Sequence, residues 1–256
     1  MHFTRWITLS AALLVSTVAS AQTPPASVST AKAAAPIDLT GYWVAVVTED
    51  WRYRMVPPPK GDYASVPITP SAKKLADTWD PAKDEAAGEQ CKSYAAPALM
   101  RVAGRFHITW QDDNTLKVES DNGMQTRLFH FGSWKPAAGA TRTWQGDSVA
   151  TWELPATRVG AGSNTEAVAS AGGSMKVLTT GLRPGYLRKN GVPFGANALL
   201  TEFWDLNKET NGDQWMVITT LVDDPDYLQE QWVTALHFKK EPNAAKWDPT
   251  PCSSRW

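Results

Sequence analysis

Leu200-Thr201-Glu202-Phe203-Trp204-Asp205-Leu206, then Asn211-Gly212-Asp213, then Trp215-Met216-Val217-Ile218-Thr219-Thr220-Leu221-Val222, reads as two strands joined by a turn. β-Branched and aromatic residues dominate both runs, and Asn-Gly-Asp is the kind of tripeptide that closes antiparallel hairpins. Strands of the same kind recur outward from it: Arg105–Trp110, Leu116–Ser120, Thr126–Phe131, Arg142–Gln145, Val149–Leu154, Ser174–Leu182 and Trp232–Lys239. Further turns fall at Asp112-Asp113-Asn114, Asp121-Asn122-Gly123 and Gln145-Gly146-Asp147. Many short strands without helices between them predict a mainly β chain, a single antiparallel β-barrel in preference to a sandwich. Gly160 to Gly173 is rich in Gly, Ala and Ser and reads as an excursion between strands.

Before the strands the composition changes. Asp50 to Pro70 carries Pro57-Pro58-Pro59, Gly61 and Pro67, which deny the chain a regular ladder, so an ordered loop is expected. Ser71–Trp79 and Asp84–Tyr94 have helical spacing, with Pro81 and Pro97 as breakers, and predict two short helices near the N-terminal part. Met1 to Arg5 is basic, Trp6 to Val18 is apolar, and Ala19-Ser20-Ala21 has the small residues of a cleavage site. That pattern predicts a signal peptide over residues 1–21. The apolar run is too short for a spanning helix, which needs about 20 residues. Residues 22–36, rich in Ala, Pro, Ser and Thr, read as a flexible leader. Residues 37–256 remain as one barrel domain, placed by the signal in the periplasm or outside the cell.

The 256 residues carry a formal charge of −1, and removal of residues 1–21 takes away only Arg5 among the charged side chains. A balance so near zero, without basic runs, argues against nucleic acid as a partner. No membrane span is expected after signal removal. Cys91 and Cys252 are the two cysteines, and an oxidising compartment lets such thiols pair. The pair would close a loop of about 160 residues, nominally worth about 4–5 kcal/mol.

No phosphate loop, dinucleotide fingerprint, nucleophile elbow or zinc pattern occurs, and no cofactor or metal is expected. His107, His130 and His237 each lie in a strand segment. If they converged in a barrel interior they would make a catalytic acid–base group or, as the lesser alternative, a three-histidine metal site. The plainer reading puts His107 on a solvated face, alternating with Phe106 and Ile108, and the other two among apolar neighbours. The chain has 13 tryptophans. Trp43, Trp110, Trp204 and Trp232, with Phe129 and Arg127, are expected to line a ligand cavity, against the alternative that they fill a core. Arg101, Arg105 and Arg127 flank the histidine strands, where they could bind a carboxylate or phosphate; exposed strand arginine is the ordinary alternative.

Leu39-Thr40-Gly41-Tyr42-Trp43 resembles the Gly-x-Trp first strand of lipocalin-like barrels. Tyr186-Leu187-Arg188-Lys189-Asn190-Gly191-Val192-Pro193, Thr201-Glu202-Phe203, Thr219 to Tyr227 and His237-Phe238-Lys239-Lys240-Glu241 resemble a family of secreted bacterial proteins of unassigned function. That resemblance runs from about residue 38 to Cys252 and implies export and a shared β fold, with no activity attached. The function expected on these grounds is a periplasmic or secreted binding protein for a small apolar or aromatic molecule. The alternative is a cofactor-independent lyase, isomerase or hydrolase acting in the cavity through histidine.

Overall fold

The computed structural model describes residues 29–154 and 172–255. The expected signal peptide, leader residues 22–28 and Gly160 to Ala171 lie outside the described residues. Nine strands close into one barrel: β1 (Gly41–Val46), β2 (Arg105–Asp112), β3 (Thr115–Ser120), β4 (Thr126–Phe131), β5 (Asp147–Glu153), β6 (Ser174–Thr180), β7 (Leu199–Lys208), β8 (Gln214–Asp223) and β9 (Trp232–Glu241). Around the ring the order is β1-β9-β8-β7-β6-β5-β4-β3-β2 and back to β1. The β7–β8 hairpin pairs from Leu199 opposite Asp223 to Lys208 opposite Gln214.

A ring whose neighbours all run antiparallel must hold an even number of strands, because direction has to alternate back to its start. With nine, one step must be parallel. It falls between β4 and β5, where Phe129 lies opposite Ser148 and Phe131 opposite Ala150. The antiparallel β-barrel expected from the sequence is the fold observed, and this step is the one parallel pairing in its ring. A parallel step needs a crossover, and residues 132–146 supply it, returning the chain from one barrel end to the other. The expected strand Arg142–Gln145 is the close of this crossover. Thr143 makes a single bridge to Leu182, its hydroxyl accepts from the Gly146 N–H at 2.9 Å, and Gly146 takes φ 63°. The chain turns there into β5 instead of extending a ladder.

Strand alternation sends Trp43, Phe106, Ile108, Leu116, Phe129, Trp204 and Phe238 inward, each at most 1% exposed. Phe106 meets Phe238 edge-on at 5.4 Å and Phe129 meets Trp204 edge-on at 5.3 Å, so large rings interlock across the axis. Each fully buried side chain of this size contributes about 2 kcal/mol or more through burial. At one end Trp110, Phe131 and Trp152 form a second aromatic layer. The leader covers it: Trp152 Nε1 donates to the Ala31 carbonyl at 2.8 Å, and the Ala31 and Lys32 N–H groups donate to Asn114 Oδ1 and the Asp113 carbonyl. From Ser29 to Lys32 the chain lies against this end of the barrel, where it satisfies a half-buried indole and the turn at Asp113-Asn114.

The opposite end is covered by a cap built from residues 47–104, 181–198 and 224–231. It contains α1 (Trp51–Arg54), α2 (Pro70–Ala76), α3 (Pro81–Ala86), a 3₁₀ turn (Gln90–Tyr94) and α4 (Ala96–Leu99). Thr69 and Asp80 cap α2 and α3 through their side chains, each with proline in the first turn. The single helix expected over Asp84–Tyr94 is broken at Gly88, which adopts φ 69°. Leu182, Leu187, Val192 and Phe194 pack with Leu200, Val222 and Trp232 into a core between cap and barrel. Among the described residues no helix is long and apolar enough to cross a membrane.

Cys91 in the 3₁₀ turn is bonded to Cys252, 161 residues on. The tail adds a two-residue parallel ladder, Thr250–Pro251 against Asn122–Gly123. Closing so long a loop restricts the unfolded chain, so Cys91→Ser with Cys252→Ser should lower unfolding free energy by about 2–4 kcal/mol and Tm by roughly 5–15 °C. Urea titration of the oxidised and reduced wild-type chains gives the same comparison without substitution.

Candidate functional site

The residues expected to line a cavity do face inward, but four of them fill the space they face. Trp43, Trp204, Phe129 and Arg127 are 0–1% exposed and in contact with one another's layers. Trp110 stands in the aromatic layer under the leader, where it also borders an outer cleft of about 990 Å³ that includes Gly172. Trp232 leaves the barrel axis for the cap, its Nε1 donating to the Ser65 carbonyl at 2.8 Å.

Arg127 forms the polar layer beneath the cap. Its Nη1 donates to Glu202 Oε1 at 2.9 Å and its Nη2 to Glu202 Oε2 at 2.6 Å, a bidentate pair with both side chains fully buried. Thr179 Oγ1 accepts a further bond at 3.2 Å, and Ser148 lies 2.8 Å beyond it. The two charges neutralise each other and a strand hydroxyl takes one further donor, while Arg127 Nε has no hydrogen-bond partner among the described residues; the pair locks β4 to β7 and β6 across the barrel.

The three histidines lie on the outer face and share no neighbour. His107 stacks flat on Tyr42 at 4.1 Å and lies 3.4 Å from Glu119. His130 stacks on Trp134 at 4.0 Å, fastening the start of the crossover to β4. His237 Nδ1 is 2.9 Å from Glu49 Oε2 at the cap rim. Arg105 pairs with Glu241 at 2.8 Å on the outer face of β2 and β9. Arg101 enters the cap beside Trp232, its guanidinium 4.9 Å from the ring centroid. Among the described residues no group of three or more His, Cys, Asp or Glu is placed to hold a metal ion.

A cleft suited to a small molecule opens in the cap. It measures about 270 Å³ and is walled by Trp79, Tyr186, Phe194 and Tyr227, with Pro184, Pro193 and Leu75 between the rings. Asp84 and Lys92 form its polar end. Buried Asp84 accepts from the Tyr186 hydroxyl at 3.0 Å and from Lys92 Nζ at 3.1 Å, and Lys92 also pairs with Glu89. Burial, joined by the Asp84 charge, pushes the Tyr186 phenol up to about 12. Burial by itself would lower Lys92, but hydrogen bonds to Glu89 and Asp84 hold it above the ordinary lysine range. The Lys92 hydrogen bond holds Glu89 below its usual value. Trp79 can approach this closely because Gly191, at φ 82°, has no side chain; a Cβ there would fall 2.2 Å from Trp79 Cβ. One short ladder and one isolated bridge position the walls: Gly185–Tyr186 pairs with Pro193–Phe194, and Ile68 bridges Leu228.

Sequence reasoning missed Trp79, Asp84, Lys92, Phe194 and the lining role of Tyr186 and Tyr227. The segments Tyr186–Pro193 and Asp223–Tyr227 stood out in the sequence, but their convergence on the residue 79–92 region depends on the folded cap.

Removing one partner of the Arg127–Glu202 pair leaves a buried unpaired charge. Glu202→Gln or Arg127→Met should cost about 3–5 kcal/mol, while the double change Arg127→Met/Glu202→Leu should recover most of that loss. Denaturant unfolding of the three variants checks this, and additive losses would contradict it.

The chain matches no known family model, no curated protein and no solved structure, so the geometry above carries the functional argument.

Proposed function

We propose that this is an exported binding protein for a small apolar or aromatic molecule, and that the ligand sits in the cap cleft instead of the barrel interior. The observation that carries the reading is the cleft itself: four aromatic rings and two prolines around about 270 Å³, closed at one end by the Asp84–Lys92–Tyr186 group. Apolar walls with a few convergent polar groups are the ordinary composition of small-molecule sites. The volume suits a one- or two-ring ligand. Lys92 has one N–H left to donate to a polar substituent, while Asp84 and the Tyr186 hydroxyl oxygen can accept from one. Export is supported by the amino-terminal signal pattern and by the paired cysteines.

A ten-atom aromatic ligand at about 0.5 kcal/mol per atom gives a Kd on the order of 0.1–1 mM. p-Nitroaniline, which absorbs tryptophan emission, should therefore quench the protein saturably in that range. Trp79→Leu should weaken binding at least tenfold with Tm little changed. Phe194→Leu should weaken it as well while lowering Tm, because Phe194 also packs in the cap core. Affinity equal to wild type in both variants would remove the cleft as the site. The sign of each shift also sets the pH response. Raised Lys92 stays charged until pH passes its elevated folded value, so its stabilising contribution is complete below the ordinary lysine range and fades above it. Lowered Glu89 stays ionised until pH falls beneath the ordinary carboxylate range, so its contribution fades only in acid. Binding should consequently be flat between about pH 5.5 and 9.5, and a midpoint near pH 7 by isothermal titration would contradict this assignment of groups.

A further inference from the structure

We propose that the barrel mouth carries a second binding site, for a small carboxylate or phosphate group, formed by Arg54, Arg101 and Arg188. The three guanidiniums line one opening between α1, the start of β2's approach and the Leu187–Lys189 loop. All three are more than nine-tenths buried, at 2%, 6% and 3% exposure. Lys189 lines the same opening and donates to the Tyr94 hydroxyl at 2.7 Å.

Two carboxylates face these four cations. Asp50 accepts from Arg101 Nη2 at 2.7 Å and lies 3.5 Å from Arg188 Nη2, while Glu49 pairs with Arg54 and is shared with His237. Asp62, a further acid whose charge acts on Arg188, is engaged by Arg52 at 2.9 Å. Backbone carbonyls take two more donors: Arg54 Nε reaches the Arg101 carbonyl at 3.0 Å and Arg188 Nη1 the Ala64 carbonyl. Arg54 Nη2, Arg101 Nη1 and Arg188 Nε and Nη2 are buried donors with no hydrogen-bond partner among the described residues. Buried donors cost free energy unless satisfied, and buried like charges repel. An oxyanion relieves both.

The guanidiniums are also fixed in place. Arg188 lies over Tyr53 at 4.3 Å and Trp232 at 5.8 Å, and Arg101 lies over Trp232 at 4.9 Å. Cation–π stacking holds the planes, so little side-chain entropy remains to be lost on binding. Burial lowers Arg54 and Arg188 to about 10, which leaves both charged at neutral pH. The opening itself, about 30 Å³, is the space of one water, enough for the oxygen edge of an anionic group whose remainder stays outside. A forked guanidinium suits that edge better than a lysine point charge would.

The test is thermal unfolding and isothermal titration of the mature full-length chain with sodium acetate and with sodium phosphate, each against sodium chloride at matched ionic strength. Saturable stabilisation by either oxyanion beyond chloride is expected, and the more effective one identifies the group as carboxylate or phosphate. Arg101→Gln and Arg188→Gln should weaken it at least tenfold, whereas Lys246→Gln on the exposed tail should leave it unchanged. Where a glutamine variant does not fold, Arg188→Lys keeps the charge and removes the fork, and the same loss is expected. No effect of either anion beyond chloride overturns the proposal. So does an effect undiminished in the arginine variants. The p-nitroaniline titration is separate, so failure of one site leaves the other standing.

Discussion

The constraint on which the rest depends is that nine strands cannot alternate direction around a closed ring. One parallel step is forced, and residues 132–146 must travel the length of the barrel to make it. The outer face of β4 is therefore committed to fastening that crossover, through the His130–Trp134 stack. The crossover ends against the cap, where the Ala96 N–H donates to the Trp144 carbonyl and Gln145 Nε2 to the Tyr94 carbonyl. Barrel closure and cap position are thus set by one connection.

What the barrel encloses follows from side-chain volume. A nine-strand ring is only slightly wider than one that side chains alone fill, and this one points two tryptophans and three phenylalanines at its axis. Those rings meet edge-on in the Phe106–Phe238 and Phe129–Trp204 pairs and occupy the axis. The polar layer of Arg127, Glu202, Thr179 and Ser148 then seals the cap end with hydrogen bonds that link β4, β7, β6 and β5. Ligand-sized space is displaced to the barrel ends, and at the cap end the loops that line it are braced by a rigid cylinder.

The sequence was most legible where geometry is local. Eight of the nine barrel strands fall within a few residues of the runs read from β-branched and aromatic spacing, and the Cys91–Cys252 pairing follows from two thiols and an oxidising compartment. The inward direction of Trp43, Arg127, Phe129 and Trp204 was legible too, since period two fixes it once a strand is placed. Whether inward means lining or filling is a property of the closed ring, invisible in any one strand. Nor does period two tell which face carries function: His107, His130 and His237 belong to an outer face whose partners, Tyr42, Trp134 and Glu49, come from elsewhere in the chain. The cap was least legible. Its walls come from α2, the 3₁₀ turn, the 185–194 hairpin and Tyr227, and no periodicity links segments so far apart.

The two cap sites stand back to back on the same short pieces of chain. Lys92 faces the aromatic cleft and Ser93 the arginine opening, while Tyr186 and Leu187 divide the same way along the neighbouring loop. Adjacent residues of one extended or tightly wound segment point apart, so a single backbone can serve two chemistries without mixing them. It serves them only if it is held still. Cys91, one residue before Lys92, is bonded to the tail, and Gln125 reaches both Cys252 Sγ and the Gly123 carbonyl from the barrel rim. The disulfide therefore fixes the segment between the two sites as well as limiting the unfolded chain, which ties the geometry of both to one covalent bond.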